Sequence, residues 1–166
     1  EQIKRALRAR HLKESHFDEV NTLLTSYYAT NTDTYTKVFP DVLETLNSLK
    51  KAGVKLYVAT NKPDIVAKDV AKRFFGEDTF ELVRGDKGDG IIKPNPKFLG
   101  SVIRAINDEN ARILFVGDSQ VDYLSAKNAG LKAAIVPHGY DKNVLLLSDR
   151  NLIIMRSFKD VLVLEG

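Results

Sequence analysis

Cysteine does not occur in the 166 residues, and methionine occurs once, at Met155. The first absence excludes disulfides, thiolate catalysis and cysteine-ligated metals, and leaves the cytoplasm as a default expectation. The second leaves the chain without an initiator, so it is expected to be processed at its N-terminus or to be a piece of something longer. Long apolar runs are missing too. No segment approaches the roughly 20 residues that cross a bilayer, and the opening stretch EQIKRALRAR lacks the apolar centre of a secretory signal. Neither sign of charge dominates: 25 Lys and Arg stand against 22 Asp and Glu, a net charge of +3, and the basic residues are scattered. Neither nucleic acid nor an acidic membrane is therefore an expected partner. Internal repeats and low-complexity stretches are absent, as are several catalytic signatures. GDKGDG is not G-x-G-x-x-G and leads into prolines instead of a helix. There is no G-x-x-x-x-G-K-[ST], no serine in G-x-S-x-G, and no metal-ligand spacing among His11, His16 and His138.

What is present, at 43% apolar composition, is enough for one domain with a sizeable core and a small appendage. From residue 37 onward, short apolar runs alternate with longer amphipathic segments, the pattern of βα units around a mostly parallel sheet. The runs are KLYVAT (55–60), FELV (80–83), ILFV (113–116), AAIV (133–136) and LIIM (152–155). Helical patterns lie between them. The first, over 40–51, carries Val42, Leu43, Leu46 and Leu49 on one face and ends at Gly53 as a cap; Pro63 opens the next as an N1 proline. Two more span 95–106 and 121–128, the latter stopping at Gly130. Residues 1–36 differ, reading as two helices, EQIKRALRARHL and HFDEVNTLLTSYYA, joined to the rest by TNTDTYT. The expected division is a helical element, 1–36, and an α/β domain, 37–166.

In an open parallel sheet, ligands sit outside the carboxyl ends of the strands. Three such ends carry candidate chemistry. Asp118 follows Gly117 at the end of its strand, and Asp122 falls in the first turn of the next helix. Two carboxylates at one crevice suit Mg²⁺, which takes one or two protein carboxylates together with waters and phosphate oxygens. Taken singly, each also fits a bland role, a helix-dipole partner for Asp122 and a turn residue for Asp118. Lys93, in GDGIIKPNP, is suited to an anionic oxygen, phosphate above all, although most loop lysines are simply solvated. Thr60 can donate its hydroxyl to the same anion with support from Asn61, although a β-branched residue is also at home in a strand. A shared crevice for phosphate and Mg²⁺ accounts for all three strand ends together.

The segments LYVATNKP, IIKPNPKFL and ILFVGDSQVDYLSAKNAG resemble motifs two, three and four of the haloacid dehalogenase superfamily. VFPDVLETLNSLKKAGVKLYVATNKP and the tail VPHGYDKNVLLLSDRNLIIMRSFKDVL resemble its phosphoglycolate phosphatase branch. The resemblance implies a Rossmann-like, mostly parallel sheet flanked by helices, with residues 1–36 as the rear half of a helical cap. It implies an aspartate nucleophile on the first strand and a second aspartate two residues later as acid and base. Thr60 and Lys93 would hold the phosphoryl oxygens, with Asn61 beside them. Asp118 would bind Mg²⁺, and Asp122 would support the metal directly or through water.

One motif of the family is absent. Nowhere does an aspartate recur two positions after another, so D-x-D-x-T is missing. The expectation is that the central first strand, with both its aspartates, is not in this chain. Two inner sheet edges would then be unpaired, a condition that invites self-association, and the 166 residues alone would be catalytically inactive. The expected parent is a phosphatase of small phosphorylated metabolites, 2-phosphoglycolate foremost, with a pyrophosphatase or a sugar phosphomutase of the same superfamily as alternatives. From another class comes a non-catalytic module that binds an anion or a partner chain. A signalling receiver domain is the weaker rival, since its acidic pair belongs on the first strand and its lysine on the last.

Overall fold

A computed structural model describes residues 13–30, 36–136, 141, 143–144 and 147–164. The chain divides into two compact units, Glu1–Lys37 and Val38–Gly166. In the first, a short 3₁₀ turn, Glu14–His16, leads into α1, Phe17–Thr30. That helix covers the second of the two helical patterns read from the sequence; the first, EQIKRALRARHL, lies outside the described residues.

The second unit follows the predicted alternation. In order come α2 (Val42–Lys51), β1 (Tyr57–Pro63), α3 (Asp64–Phe75), β2 (Leu82–Asp86), α4 (Pro96–Ile106), β3 (Leu114–Gly117), α5 (Gln120–Asn128), β4 (Lys132–Ile135) and β5 (Leu152–Ile154). A 3₁₀ turn, Phe158–Val163, closes it. Local chemistry explains most of the boundaries. Asn95 caps α4 by accepting the Lys97 amide at 3.0 Å, with Pro96 in the first helical position, where no N–H is needed. Gly53, just beyond α2, has φ +83°, a conformation that favours glycine. Two details differ from expectation. Pro40 precedes α2 in a turn instead of opening it, and Pro63 ends β1 and caps α3 instead of standing first inside that helix. In both cases the strand or turn geometry carries the chain one or two residues farther before helical dihedrals begin.

The strands form two parallel sheets, β1–β2 and β3–β4–β5. Among the described residues no backbone ladder joins them. Successive residues on a strand face opposite sides, and the three-stranded sheet uses this fully. Leu114, Val116, Ala134, Ile153 and Met155 pack with Leu46 and Leu49 of α2 and Val161 of the closing turn. Phe115, Ala133, Ile135 and Leu152 pack on the other side with Tyr123 and Ala126 of α5 and with Val144. The middle strand, β4, is the apolar centre, with Ala133, Ala134 and Ile135 all buried. Helices thus cover both faces, the layered arrangement expected of a doubly wound sheet. No helix among the described residues is long and apolar enough to cross a membrane.

Candidate functional site

Gly117, the last residue of β3, leaves room for the side chain that organises this end of the sheet. A Cβ built there would lie 2.3 Å from Asp122 Cβ and 2.5 Å from Asp122 Cγ, so only glycine lets the carboxylate fold back over the strand. Ser119 then starts α5. Its Oγ accepts the Asp122 amide at 3.3 Å and donates to Asp122 Oδ2 at 2.7 Å, while the Ser119 amide donates to the same oxygen at 3.2 Å. This is a reciprocal capping box. The Asp118 amide also donates to Oδ2, at 3.1 Å. Sequence reasoning placed Asp122 in the first helical turn and Ser119 only in a turn with Asp118; it did not read Ser119 as the cap, although the S-x-x-D spacing of residues 119–122 was the available signal.

The other carboxylate oxygen of Asp122 faces the second sheet. Lys93 Nζ donates to Oδ1 at 2.6 Å, with the two side chains only 12% and 7% exposed. The ammonium also lies 5.8 Å from the centre of the Phe115 ring. Burial alone would push the Asp122 carboxyl up; the Lys93 charge, together with the bonds from Lys93, Ser119 and the Asp118 amide, outweighs it, and the group lies below its ordinary value. Asp118 behaves oppositely. Its partial withdrawal from water, and then the charge of Asp122 beside it, raise its carboxyl above the ordinary range, and Lys93 offsets this only in part. The turn therefore presents one firmly ionised carboxylate, engaged by protein donors, and one more exposed carboxylate whose charge Lys93 compensates only in part.

Lys93 is held at its backbone as well. Asn61, near the end of β1, accepts the Lys93 amide on Oδ1 at 2.7 Å and donates Nδ2 to the Lys93 carbonyl at 3.0 Å. Asn128 of α5 donates Nδ2 to the Pro94 carbonyl at 2.9 Å. Nothing in the local sequence pattern pointed to Asn128. Thr60 stands next to Asn61, where the β1–β2 ladder shifts register between Ala59 and Pro63. Its Oγ accepts the Lys62 amide at 3.2 Å, which uses a lone pair and leaves the hydroxyl proton to be donated. Asp118, Asp122, Lys93 and Asn61 thus form one continuous chain of contacts, and Thr60 joins it through its neighbour.

The arrangement can bind an anion through the Thr60 hydroxyl and the remaining Lys93 protons, and a hard cation through Asp118. Asp118 fits Mg²⁺ on the chemistry of the turn, since a divalent cation would neutralise a carboxylate that partial burial and then the Asp122 charge disfavour, whereas the oxygens of Asp122 are already engaged. Among the described residues no three acidic or imidazole groups converge as a complete metal cage. Outside the crevice, Asp141 Oδ2 accepts the Gln120 amide at 2.9 Å and so occupies the first free N–H of α5.

A family model described as haloacid dehalogenase-like hydrolase matches residues 1–130. A phosphoglycolate phosphatase of Mannheimia succiniciproducens is 35% identical over 136 residues, 82% of this chain and 61% of that protein. One of Pectobacterium atrosepticum is 33% identical over 169 residues, 99% of this chain and 71% of that protein. The chain thus spans about three fifths of the first relative's length. A crystal structure described as a predicted phosphoglycolate phosphatase from Haemophilus somnus superposes with a TM-score of 0.83 at 28% identity, covering 99% of this chain and 74% of that one.

Proposed function

Because the chain belongs to the haloacid dehalogenase-like hydrolase family, we propose that it supplies the phosphate- and metal-binding half of a phosphatase site. The substrates are small phosphomonoesters, with 2-phosphoglycolate first, the substrate by which the relatives are named. The observation that carries this reading is the buried Lys93–Asp122 pair at 2.6 Å, which sets a cation between the acidic turn of β3–α5 and the Asn61–Thr60 end of β1. A lysine fixed in that position retains protons for phosphoryl oxygens, and Thr60 supplies a hydroxyl from the neighbouring strand.

Asp118 is the residue that would hold Mg²⁺, with Asp122 supporting it from behind through Ser119 and the Asp118 amide. When bound, the ion supplies charge compensation between an anionic nucleophile and an anionic substrate. The nucleophile itself is not among the 166 residues, because no aspartate pair has the D-x-D spacing. On this reading the chain alone does not turn over, and residues 1–36, whose described part includes the Glu14–His16 turn and α1, belong to a helical cap that helps choose the substrate. The test is Mg²⁺-dependent phosphate release from 2-phosphoglycolate, by this chain and by a longer protein that joins it to a D-x-D-bearing segment. Turnover is expected only from the longer protein. Appreciable turnover by the 166 residues refutes the division of the site, and failure of the longer protein on every phosphomonoester refutes the phosphatase reading.

A second reading is favoured by the separation of the two sheets. Among the described residues β1 and β3 each have a strand partner on one side only, so each offers a row of backbone groups to a further parallel strand. A module that pairs with another chain through these edges would show concentration-dependent association in sedimentation experiments, with no phosphatase activity in any longer form.

A further inference from the structure

The loop between β2 and α4 is fastened to β1 on one side and to α5, the helix packed on the other sheet, on the other. From one side, the Asn61 side chain on β1 brackets Lys93 as a neighbouring strand would, accepting its N–H at 2.7 Å and donating to its carbonyl at 3.0 Å. From the other, Asn128 on α5 donates to the next carbonyl, that of Pro94, at 2.9 Å. The Lys93 ammonium then reaches Asp122, also on α5, at 2.6 Å. Only a side-chain amide offers one donor and one acceptor in this geometry; a carboxylate at position 61 would face the Lys93 carbonyl with a second acceptor, and an alanine would leave both backbone groups without this partner. One Nδ2 proton and one Oδ1 lone pair of Asn61 are spent on Lys93, so the position of this amide and that of the lysine backbone are tied together.

We propose that Asn61 and Asn128 are positioning residues that hold the Lys93–Pro94 backbone between β1 and α5 and so fix where the Lys93 ammonium meets a substrate oxygen. The inference deepens the phosphoryl-transfer reading and rests on it for the identity of the anion. The contacts themselves do not depend on that reading.

Two measurements separate the parts. In the 166-residue chain, hydrogen exchange of the Lys93 amide reads the bracket directly. Asn61→Ala is expected to speed it at least tenfold while the amides of β3 and β4 are unchanged, and an unchanged Lys93 rate overturns the proposal. If Asn61→Ala does not fold, Asn128→Ala reads the other fastening. It removes only the bond to the Pro94 carbonyl and is expected to speed exchange across 91–95; no change there overturns the proposal equally.

The second measurement uses the active longer protein with 2-phosphoglycolate. A catalytic cation misplaced by about an ångström costs on the order of 10²-fold in rate. Asn61→Ala is therefore expected to lower kcat by about that factor, with KM changed far less, and Asn61→Gln to restore less than wild-type activity because its amide is one methylene too distant. In a Lys93→Ala background, Asn61→Ala should add nothing. Additive losses would mean that Asn61 touches the substrate itself, and would overturn its assignment as a positioning residue. If no longer form has activity, the phosphatase reading has failed, and the exchange data still decide whether Asn61 holds Lys93.

Discussion

The two sheets carry their halves of the site in different ways. In β3–β4–β5 the register runs without a break, Leu114 to Lys132 through Gly117 to Ile135 and Ala133 to Leu152 through Ile135 to Ile154. In β1–β2 the pairing is regular from Tyr57 with Leu82 to Ala59 with Arg84, then shifts before Pro63 meets Asp86. The regular sheet supports the acidic turn, and the break in the other contains Thr60 and Asn61. This division has a physical basis. Two carboxylates on adjacent turns repel each other and need a rigid base, whereas residues released from a ladder can aim at partners outside the sheet, as irregular strand segments beside functional sites do. Asn61 turns to Lys93, and the Lys93 side chain crosses back to Asp122.

Breaking that crossing should give the largest effect. Lys93→Met leaves the Asp122 carboxylate, 7% exposed, without its cation. Removing one partner of a buried pair costs about 3–5 kcal/mol, a large share of the roughly 5–15 kcal/mol that holds a domain together. Denaturant unfolding should show this loss, while Lys68→Met, which breaks the Lys68–Asp64 bridge with Lys68 57% exposed, should cost no more than about 1 kcal/mol. Equal losses from the two variants would mean that Asp122 is not buried as described.

Next come two glycines, one in each sheet. A Cβ on Gly85 of β2 would lie 2.5 Å from Asp64 Cα and 2.6 Å from the Lys62 carbonyl, which are backbone atoms. A Cβ on Gly117 would meet the Asp122 side chain, which can swing away by giving up its capping box. Gly117→Ala is expected to cost about 1–3 kcal/mol. Gly85→Ala should cost more, because backbone yields less readily than a side chain; the reverse order of unfolding midpoints would count against this comparison.

Much of this architecture was legible. Each apolar run became a strand within a few residues, and Asp118 directly follows β3 as expected, whereas Thr60 and Asn61, expected where their strand ends, lie inside β1, which runs on to Pro63. What the pattern could not carry was adjacency. Alternating segments do not say which strands pair, so the separation into two sheets appears only in the structure, although the missing D-x-D segment had raised the expectation of unpaired edges. Asn61 was read as an aid to phosphate binding, and its bond to a residue 32 positions away has no local signature. The bond from Asn128 to Pro94 spans 34 positions and is equally silent. Asp122 was read as a metal or dipole carboxylate; its engagement by Lys93, Ser119 and the Asp118 amide depends on three-dimensional closure over Gly117.

A smaller effect should come from Asp149, which ties α5 to the segment ahead of β5. Asp149 accepts the Asn151 amide at 2.9 Å, the Tyr123 hydroxyl at 2.7 Å and Lys127 Nζ at 3.2 Å. The Asn151 amide first, then Tyr123 and Lys127, bring its carboxyl from 3.8 down to about 2. A depressed acid contributes stability above its unfolded value and loses it as pH falls through the folded one. That contribution is therefore complete above pH 3.8 and disappears towards about 2. Tyr123→Phe should weaken the chain at neutral pH, with the difference from wild type shrinking across that window. Exchange at Lys93 should be unaffected, which keeps the anchor separate from the site; a pH-independent difference would show that lost packing, not Asp149, is responsible.

The smallest expected change has the opposite sign. Partial burial and then repulsion from the charge of Asp122 disfavour an ionised Asp118, and the Lys93 ammonium is bonded to Asp122. A neutral side chain of the same shape removes that repulsion, so Asp118→Asn should raise the unfolding midpoint, by roughly 1–4 °C for a chain of this size. A functional carboxylate held at some expense to stability behaves in this way, whereas one placed only to form a turn would not. Magnesium then gives the comparison its direction. If Asp118 is the cation ligand, adding Mg²⁺ should raise the wild-type midpoint and leave that of Asp118→Asn where it was, so that the advantage of the variant narrows or reverses. A midpoint that falls on substitution without Mg²⁺, or variants that respond equally to the ion, would return Asp118 to the role of a turn residue and leave the acidic half of the site to Asp122 alone.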